Sequence, residues 1–241
     1  MRAKAPPPAL SSPAADVEPA SSTERIATAI TAAIVERRLM PGTKLAEQKL
    51  ADIFSVSRTL VRQALNQLSR DRLVTLTPAR GAFVAEPSVE EARQVFEVRR
   101  MLESSLLAQL VERITPAQLA ELRQHLKAEA QAIARTDVPG RTRLLADFHR
   151  LLARMQGNEV LAQLLGDLLS RSSLISLMYQ SDHSAAESHA EHVALVDALE
   201  ARDKRAVQKL LRDHLGHVET SLRLQPRVAS LAEVLDGRNA R

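Results

Sequence analysis

Apolar residues recur at helical spacing near the start of the chain. An isoleucine stands at every fourth position from Ile26 to Ile34, which predicts a helix with one buried face. The pair Pro41-Gly42 ends this helix in a turn, because both residues disfavour its continuation. A second, shorter helix is predicted over 47–54, again with apolar residues on one side.

A third helix and a β-hairpin are predicted next. Ser57 is a good N-cap, and the helix that it starts runs to about Asp71. Its buried face has i, i+3, i+4, i+7 spacing and consists of Val61, Ala64, Leu65 and Leu68. Two β-prone runs, 73–77 and 82–85, follow and are joined by a turn. Three short helices and a hairpin predict a winged helix-turn-helix domain.

From Ser88 onward the chain has only helical patterns. Capping signals at Ser88 and Thr115, and loops at Gly157-Asn158 and 181–184, help to separate six amphipathic segments. Their approximate spans are 88–113, 115 onward, 140–155, 159–179, 185–201 and 204–224. Six such helices with short connections predict an antiparallel bundle. The predicted fold class is therefore mainly α, with a winged helix-turn-helix followed by a six-helix bundle.

These patterns divide the chain into two domains and two tails. The proline-rich segment 1–22 is expected to be a disordered tail, because its composition does not support a core. The winged domain is assigned to 23–86, the helical domain to 87–225 and a C-terminal tail to 226–241. The connection between the domains is short, so we expect them to be coupled.

The amino-acid composition excludes or disfavours several kinds of functional site and fold. The chain has no cysteine, which excludes disulfides, zinc–thiolate sites and cysteine nucleophiles. Aromatic residues make up only 2%, which disfavours a base-stacking surface and a β-sandwich. No uninterrupted apolar run approaches membrane-spanning length, and the N-terminus has no apolar signal-peptide core. We therefore expect a soluble, cytoplasmic protein.

The positive charge of the chain is concentrated in its first third. Lysine and arginine number 33 against 29 aspartate and glutamate, which gives a net charge of +4. Residues 87–241 are balanced, so the whole excess belongs to residues 1–86. A local excess of this sign suits an acidic polymer such as nucleic acid.

The first turn of the third helix and the hairpin tip carry the chemistry of DNA recognition. Arg58 and Arg62 are four residues apart and share a helix face. A helix N-terminus offers N–H donors to phosphate, and arginine can bind guanine in a bidentate manner. The candidate DNA-binding residues are Ser57, Arg58, Thr59, Arg62, Arg80 and Gly81. The alternative is that the two arginines only solvate an exposed face.

Residues 24–86 resemble the N-terminal domain of GntR-family transcription regulators. The matching residues are Ile30, Ile34, Pro41-Gly42, Leu45, Glu47, Leu50-Ala51, Val56-Ser57-Arg58, Val61-Arg62, Ala64-Leu65, Leu68, Leu73-Val74 and Arg80-Gly81. The resemblance implies that Arg58, Thr59, Arg62 and Gly81 contact operator DNA. Three residues depart from the family pattern, namely Leu60, Gln63 and Gln48. At the last of these, some relatives have a DNA-contacting arginine.

Three histidines of the helical domain lie on apolar helix faces. His149, His192 and His214 are each flanked by leucine or valine at helical spacing, so each is expected to point into the bundle. Three inward imidazoles could converge on one divalent metal. Two alternatives stay open: a metal-free pocket in which the imidazoles hold an anion, and three unrelated core histidines.

The helical domain also resembles the all-helical FCD effector domain of the FadR-like branch of the GntR family. The matching residues are Glu97-Val98-Arg99, Phe148-His149, Gly157-Asn158, Glu191-His192 and Asp213-His214-Leu215. In metal-binding members, the positions of His149, His192 and His214 are ligands, and an aspartate is the fourth. Leu145 takes the aspartate position here. The resemblance implies a site for Zn, Ni or Mn that lacks one protein ligand.

Arginines of the helical domain are candidates for binding an effector carboxylate. Arg99 is favoured because the branch often has an arginine there, and Arg100 and Arg171 are similar in type. The alternative for each is a surface charge paired with a glutamate. The candidate effector-binding residues are therefore Arg99, His149, His192 and His214.

Together these features predict an effector-responsive repressor. It would be a homodimer that binds a palindromic operator in double-stranded DNA and responds to a small organic acid. Two other functions remain open, a three-histidine metallohydrolase and an architectural DNA-binding protein without an effector. We expect no catalytic residue, because no nucleophile motif and no convincing general base accompany the histidines.

Overall fold

The computed structural model describes residues 21–179 and 184–222. Its first domain contains three helices, α1 (Ser22–Val35), α2 (Glu47–Phe54) and α3 (Arg58–Arg70). Ser21 caps α1 and forms a reciprocal capping box with Glu24, so α1 begins within the last residues assigned to the N-terminal tail. The rest of that tail and residues 226–241 lie outside the described residues.

A small antiparallel sheet completes the winged domain. It contains β1 (Lys44–Leu45), β2 (Val74–Thr77) and β3 (Gly81–Val84), in the order β1-β3-β2. The predicted hairpin is β2–β3, in which Val74 pairs with Val84 and Thr77 with Gly81. The sequence did not indicate β1, because two residues are too short to show the alternating pattern of a strand.

The second domain consists of six helices within the described residues, as predicted. They are α4 (Val89–Arg113), α5 (Pro116–Ala134), α6 (Val138–Met155), α7 (Glu159–Met178), α8 (Ala185–Glu200) and α9 (Lys204–Thr220). Helix α6 begins two residues earlier than predicted, because Asp137 caps it through the N–H of Gly140. The core between these helices is built mainly from leucine.

Helix α7 is, in the described part of the chain, the one helix that is long and apolar enough to cross a membrane. It packs against α1, α4 and α6. Leu165, Leu169 and Ile175 of α7 are buried inside the protein, whereas Val160 and Leu164 are exposed. Part of the apolar surface of α7 therefore belongs to the protein core.

The two domains share a packed interface. Helix α1 packs against α6 and α7, and Leu174 of α7 belongs to the hydrophobic core of the winged domain. The hydroxyl of Tyr179 donates a 2.8 Å hydrogen bond to the carbonyl of Pro87 in the connecting segment. An ion pair of 3.2 Å joins Glu36, at the end of α1, to Arg143 of α6. The domains are thus coupled by apolar packing and by charge.

Candidate functional site

The N-terminal turn of α3 presents the candidate DNA-binding residues to solvent. Ser57 caps the helix by accepting a hydrogen bond from the N–H of Leu60 at 3.4 Å. Ser57, Arg58, Thr59 and Arg62 are all exposed, while the opposite face of α3 is buried in the winged-domain core. The helix therefore directs its positive end and both arginines away from the protein.

A glutamate of α2 holds both arginines in place. Arg62 donates to the two carboxylate oxygens of Glu47 at 3.0 and 2.8 Å, and Arg58 donates to the same carboxylate at 3.2 Å. The hydrogen bond from Arg62 is the largest cause that lowers the pKa of Glu47 to about 2. Glu47 matches the family motif, but its contact with the two arginines could not be predicted from sequence spacing alone.

The tip of the wing has a backbone conformation that favours glycine. Gly81 has a φ of +100°, a backbone region that side chains rarely adopt. Arg80 is exposed, and its guanidinium lies over the ring of Phe83, 5.8 Å from the ring centroid. Lys44 of β1 lies near the same ring, at 5.9 Å. The wing therefore presents two exposed cations, Lys44 and Arg80.

Two of the departures from the family pattern make local contacts. Gln48 donates a 2.8 Å hydrogen bond to Asp52, one turn further along α2. Gln63 accepts a hydrogen bond of 3.4 Å from Thr23 of α1. Both side chains therefore have partners within the winged domain.

Three helices bring the predicted histidines together. His149 lies on α6, His192 on α8 and His214 on α9, and each is at least 96% buried. One potential ligand atom from each ring lies within 4.8 Å of the others. The Nε2 atoms of His149 and His214 are 3.2 Å apart, and the ring of Phe148 stacks on His192. We call these three residues the histidine cluster.

Each imidazole of the cluster is held by a carboxylate on its other nitrogen. The distances from Nδ1 are 2.6 Å from His149 to Glu103, 3.1 Å from His192 to Glu129 and 2.6 Å from His214 to Glu191. The matching motif included Glu191, but the sequence did not reveal Glu103 and Glu129. A single glutamate on a helix is usually exposed, and only the assembled bundle shows its partner.

These carboxylates determine which nitrogen carries the proton. A carboxylate accepts from an N–H, so each Nδ1 carries the ring proton and each Nε2 is the acceptor nitrogen of its ring. Burial lowers the pKa of His192 and His214 to about 4 and also lowers that of His149. Burial opposes the ionisation of Glu103 and Glu129, yet their basic partners hold both pKa values at about 2. At neutral pH the cluster therefore consists of neutral imidazoles supported by ionised carboxylates.

The donor set fits a divalent metal. Three neutral imidazole nitrogens are suitable ligands for zinc and similar ions, and carboxylates on the opposite nitrogens are the usual support for such ligands. The Nε2 atom of His192 is buried and has no hydrogen-bond partner among the described residues. Such an atom is costly unless a ligand satisfies it.

The histidine cluster lines a cavity of about 450 Å³. Leu145, one turn before His149 on α6, also lines this cavity and offers no ligand atom. Arg99 reaches the cavity from α4 and is 96% buried. Its guanidinium donates to Glu103 at 2.8 Å and to Ser172 at 3.2 Å. The predicted pairing of Arg99 with a glutamate is thus present, but it is buried rather than on the surface.

The neighbouring histidines, and two further arginines of the helical domain, lie away from the Nε2 atoms of the cluster. His189 binds the carboxylate of Glu129 at 2.9 Å, and His217 binds that of Glu191 at 2.6 Å. Both therefore contact the supporting carboxylates rather than the cavity. Arg100 pairs with Glu219 and Arg171 with Glu91, while His183 lies outside the described residues.

Both domains match known protein families. Residues 22–84 match the family described as bacterial regulatory proteins, gntR family. Residues 94–217 match the FCD domain. The two matches cover the winged domain and most of the helical bundle.

Individual relatives agree with the domain matches. The chain is 28% identical to the HTH-type transcriptional repressor RspR of Escherichia coli K12 over 193 residues, which cover 79% of this chain and 84% of RspR. It is also 28% identical to the repressor NanR of Citrobacter rodentium, over 73% of this chain and 75% of NanR. The solved structure of E. coli McbR/YncC has the same fold, with a TM-score of 0.73 at 24% identity over 82% of this chain and 94% of McbR. RspR and NanR are both named as transcriptional repressors.

Proposed function

Because the chain belongs to the GntR family of bacterial regulatory proteins and carries an FCD domain, we propose that it is a cytoplasmic repressor that responds to a small organic acid. The helical domain binds this effector through a divalent metal held by His149, His192 and His214. The winged domain binds operator DNA. RspR and NanR, which are named as repressors, support this direction of regulation.

The observation that carries the effector proposal is the convergence of three imidazoles in one cavity. Their Nδ1 atoms are occupied by carboxylates, so only the Nε2 lone pairs face one another. Two such lone pairs at 3.2 Å repel unless a cation or a proton lies between them. A metal bound there would leave a coordination position for an effector carboxylate, since Leu145 provides no ligand.

The same geometry disfavours a metal-free anion site. An imidazole attracts an anion when it offers an N–H or is protonated. Here the Nδ1–H groups are already used, and burial lowers the pKa of all three histidines. The cluster therefore suits a cation better than an anion, and the effector would be held through the metal.

The DNA-binding proposal rests on the exposed N-terminal turn of α3. Arg58 and Arg62 are held by ion pairs with Glu47. Because these ion pairs already restrict both side chains, the arginines lose less conformational entropy when they bind phosphate or base edges. Arg80 and Gly81 extend the contact surface at the wing. A fixed pair of arginines and an open wing tip together suit a duplex groove.

We further propose that the active form is a homodimer. Helices α4 and α7 pack on each other and expose apolar side chains, namely Val98, Met101, Val160 and Leu164. Pairing these helices with a second copy would bury this surface. A two-fold dimer would in turn read a palindromic operator.

Two measurements test the regulator function. Duplexes are first selected from a random pool, and their affinities are then measured across salt concentrations. We expect the wild-type protein to select a palindromic sequence, and Arg62→Ala to weaken its binding and reduce the salt slope by about one if Arg62 contacts phosphate. Arg70→Ala, at the opposite end of α3, is the matched control and should bind almost as wild type. If no sequence is enriched, the proposed regulator is wrong, whereas unchanged affinity of Arg62→Ala removes only Arg62 from the interface.

A further inference from the structure

The cavity of the helical domain is also lined by an arginine of the winged domain. Arg37 follows the end of α1, and Arg141 lies near the start of α6. Both line the same cavity of about 450 Å³ as the histidine cluster. Arg37 is only partly covered and keeps contact with solvent, so it occupies the solvent side of this cavity. We call Arg37 and Arg141 the arginine pair.

The domain interface fixes the position of Arg37. Its neighbour Glu36 is paired with Arg143 of α6 at 3.2 Å. On the other side of the cavity wall, Leu174 of α7 is buried in the winged-domain core. Ser173, the residue before it, lines the cavity. A ligand in the cavity therefore touches elements that are packed directly on the winged domain.

The positive charge of the arginine pair is not balanced by an ion-pair partner among the described residues. Arg99 is neutralised by Glu103. Across 21–179 and 184–222, by contrast, no carboxylate forms an ion pair or hydrogen bond with Arg37 or Arg141. Partial burial and the charge of Arg141 both lower the pKa of Arg37. The two guanidinium groups thus repel one another, and a bound anion would remove that cost.

We propose that the effector carries a second anionic group, and that Arg37 of the winged domain binds it together with Arg141. This inference rests on the proposed function, in which the first carboxylate is held at the histidine cluster. The effector is then a dianion, such as a small dicarboxylate, that contacts both domains at once. Its binding stabilises the arrangement of domains in which Arg37 reaches the cavity, and this preference is the physical basis for altered operator affinity.

Matched acids test the proposal by calorimetry on the zinc-loaded, full-length protein. The probes are malate against 3-hydroxybutyrate, and glutarate against pentanoate, so that each pair differs by one carboxylate. At least one dianion should bind wild type about tenfold more tightly than its partner, because a charge-assisted hydrogen bond contributes that much. Arg37→Ala should remove the difference and leave the affinity for the monoanion unchanged. Arg93→Ala, which removes an exposed charge of α4, should behave as wild type.

Two results would overturn the proposal. One is that no dianion binds wild type more tightly than its matched monoanion. The other is that Arg37→Ala binds the dianion as wild type does. A second readout is hydrogen exchange, in which the dianion should protect the amides of residues 36–39 in wild type but not in Arg37→Ala.

The failure of this inference is distinguishable from that of the proposed function. Zinc content and binding to the selected operator without effector do not depend on Arg37. If both are retained while the dianion preference is missing, only the bridging role of Arg37 is wrong. If wild type binds neither zinc nor a selected duplex, the proposed function itself is wrong.

Discussion

The Nδ1 atom of His214 lies 2.6 Å from one carboxylate oxygen of Glu191, whose other oxygen lies 2.6 Å from Nδ1 of His217. One glutamate thus orients a buried histidine of the cluster and an exposed neighbour on the same helix. The contact keeps the Nε2 lone pair of His214 directed at the cluster. This relationship leads to a first test of the metal site.

Replacing Glu191 with glutamine is predicted to weaken zinc binding by about 10- to 100-fold, which is the usual effect of losing such a support. The amide can still accept a hydrogen bond, but it no longer supplies the negative charge that makes the imidazole a better ligand. Competition with a chromogenic chelator measures the change. As a control, His217→Ala removes only the exposed partner of Glu191 and should alter the zinc affinity by less than about twofold. Equal zinc affinities of wild type and Glu191→Gln would contradict the supporting role of Glu191.

Restoring a carboxylate at position 145 should strengthen the site. Leu145 lines the cavity one turn before His149, so Leu145→Asp would place an anionic oxygen near the three imidazoles. We expect zinc affinity to rise by about tenfold or more, because a fourth protein ligand completes a tetrahedral site. Leu145→Asn provides a neutral control of the same shape. If the aspartate variant binds zinc no better than the asparagine variant, position 145 does not face the metal.

The buried pair Arg99–Glu103 should be essential for the stability of the helical domain. Both side chains are almost fully buried and 2.8 Å apart. Arg99→Ala leaves Glu103 without its charged partner, and we expect a loss of about 3–5 kcal/mol in the free energy of unfolding. Urea denaturation gives this value, with the exposed Arg93→Ala as a control that should stay within about 0.5 kcal/mol of wild type. A small effect at Arg99 would show that solvent reaches this pair.

The contact of Glu47 with Arg62 predicts a specific dependence on pH. The pKa of Glu47 is lowered from 4.5 to about 2 in the folded protein. Its contribution to stability is therefore present above pH 4.5 and is lost as the pH falls from 4.5 towards 2. The stability difference between wild type and Glu47→Gln should be largest near pH 6 and smaller at pH 3. A difference that stays constant over this range would mean that the ion pair does not form in solution.

Local sequence patterns were sufficient to predict most of the fold. Periodicity and capping residues predicted the nine helices found in the described residues, and Ser57 and Ser88 mark helix starts in the structure as expected. Strand β1 was missed because it has only two residues and depends on pairing with β3. Such a strand is specified by tertiary contacts rather than by its own sequence.

The candidate site was only partly predictable. His149, His192 and His214 could be found because each is flanked by apolar residues and matches a family position. Glu129 could not be found, because nothing in the local sequence of α5 shows that its carboxylate is fully buried beside His192. Likewise, Arg37 looks like an ordinary surface residue after a helix, and only domain packing brings it to the cavity.

The metal content of the purified protein tests the central claim most directly. Untagged, dialysed protein is reloaded separately with zinc, nickel and manganese, desalted and measured by mass spectrometry, beside a His149→Ala control whose folding is verified by circular dichroism. The account predicts near-stoichiometric binding of at least one of these metals to wild type and its loss from the variant. Absence of metal from folded wild type under all three conditions, or equal metal in both proteins, would contradict it.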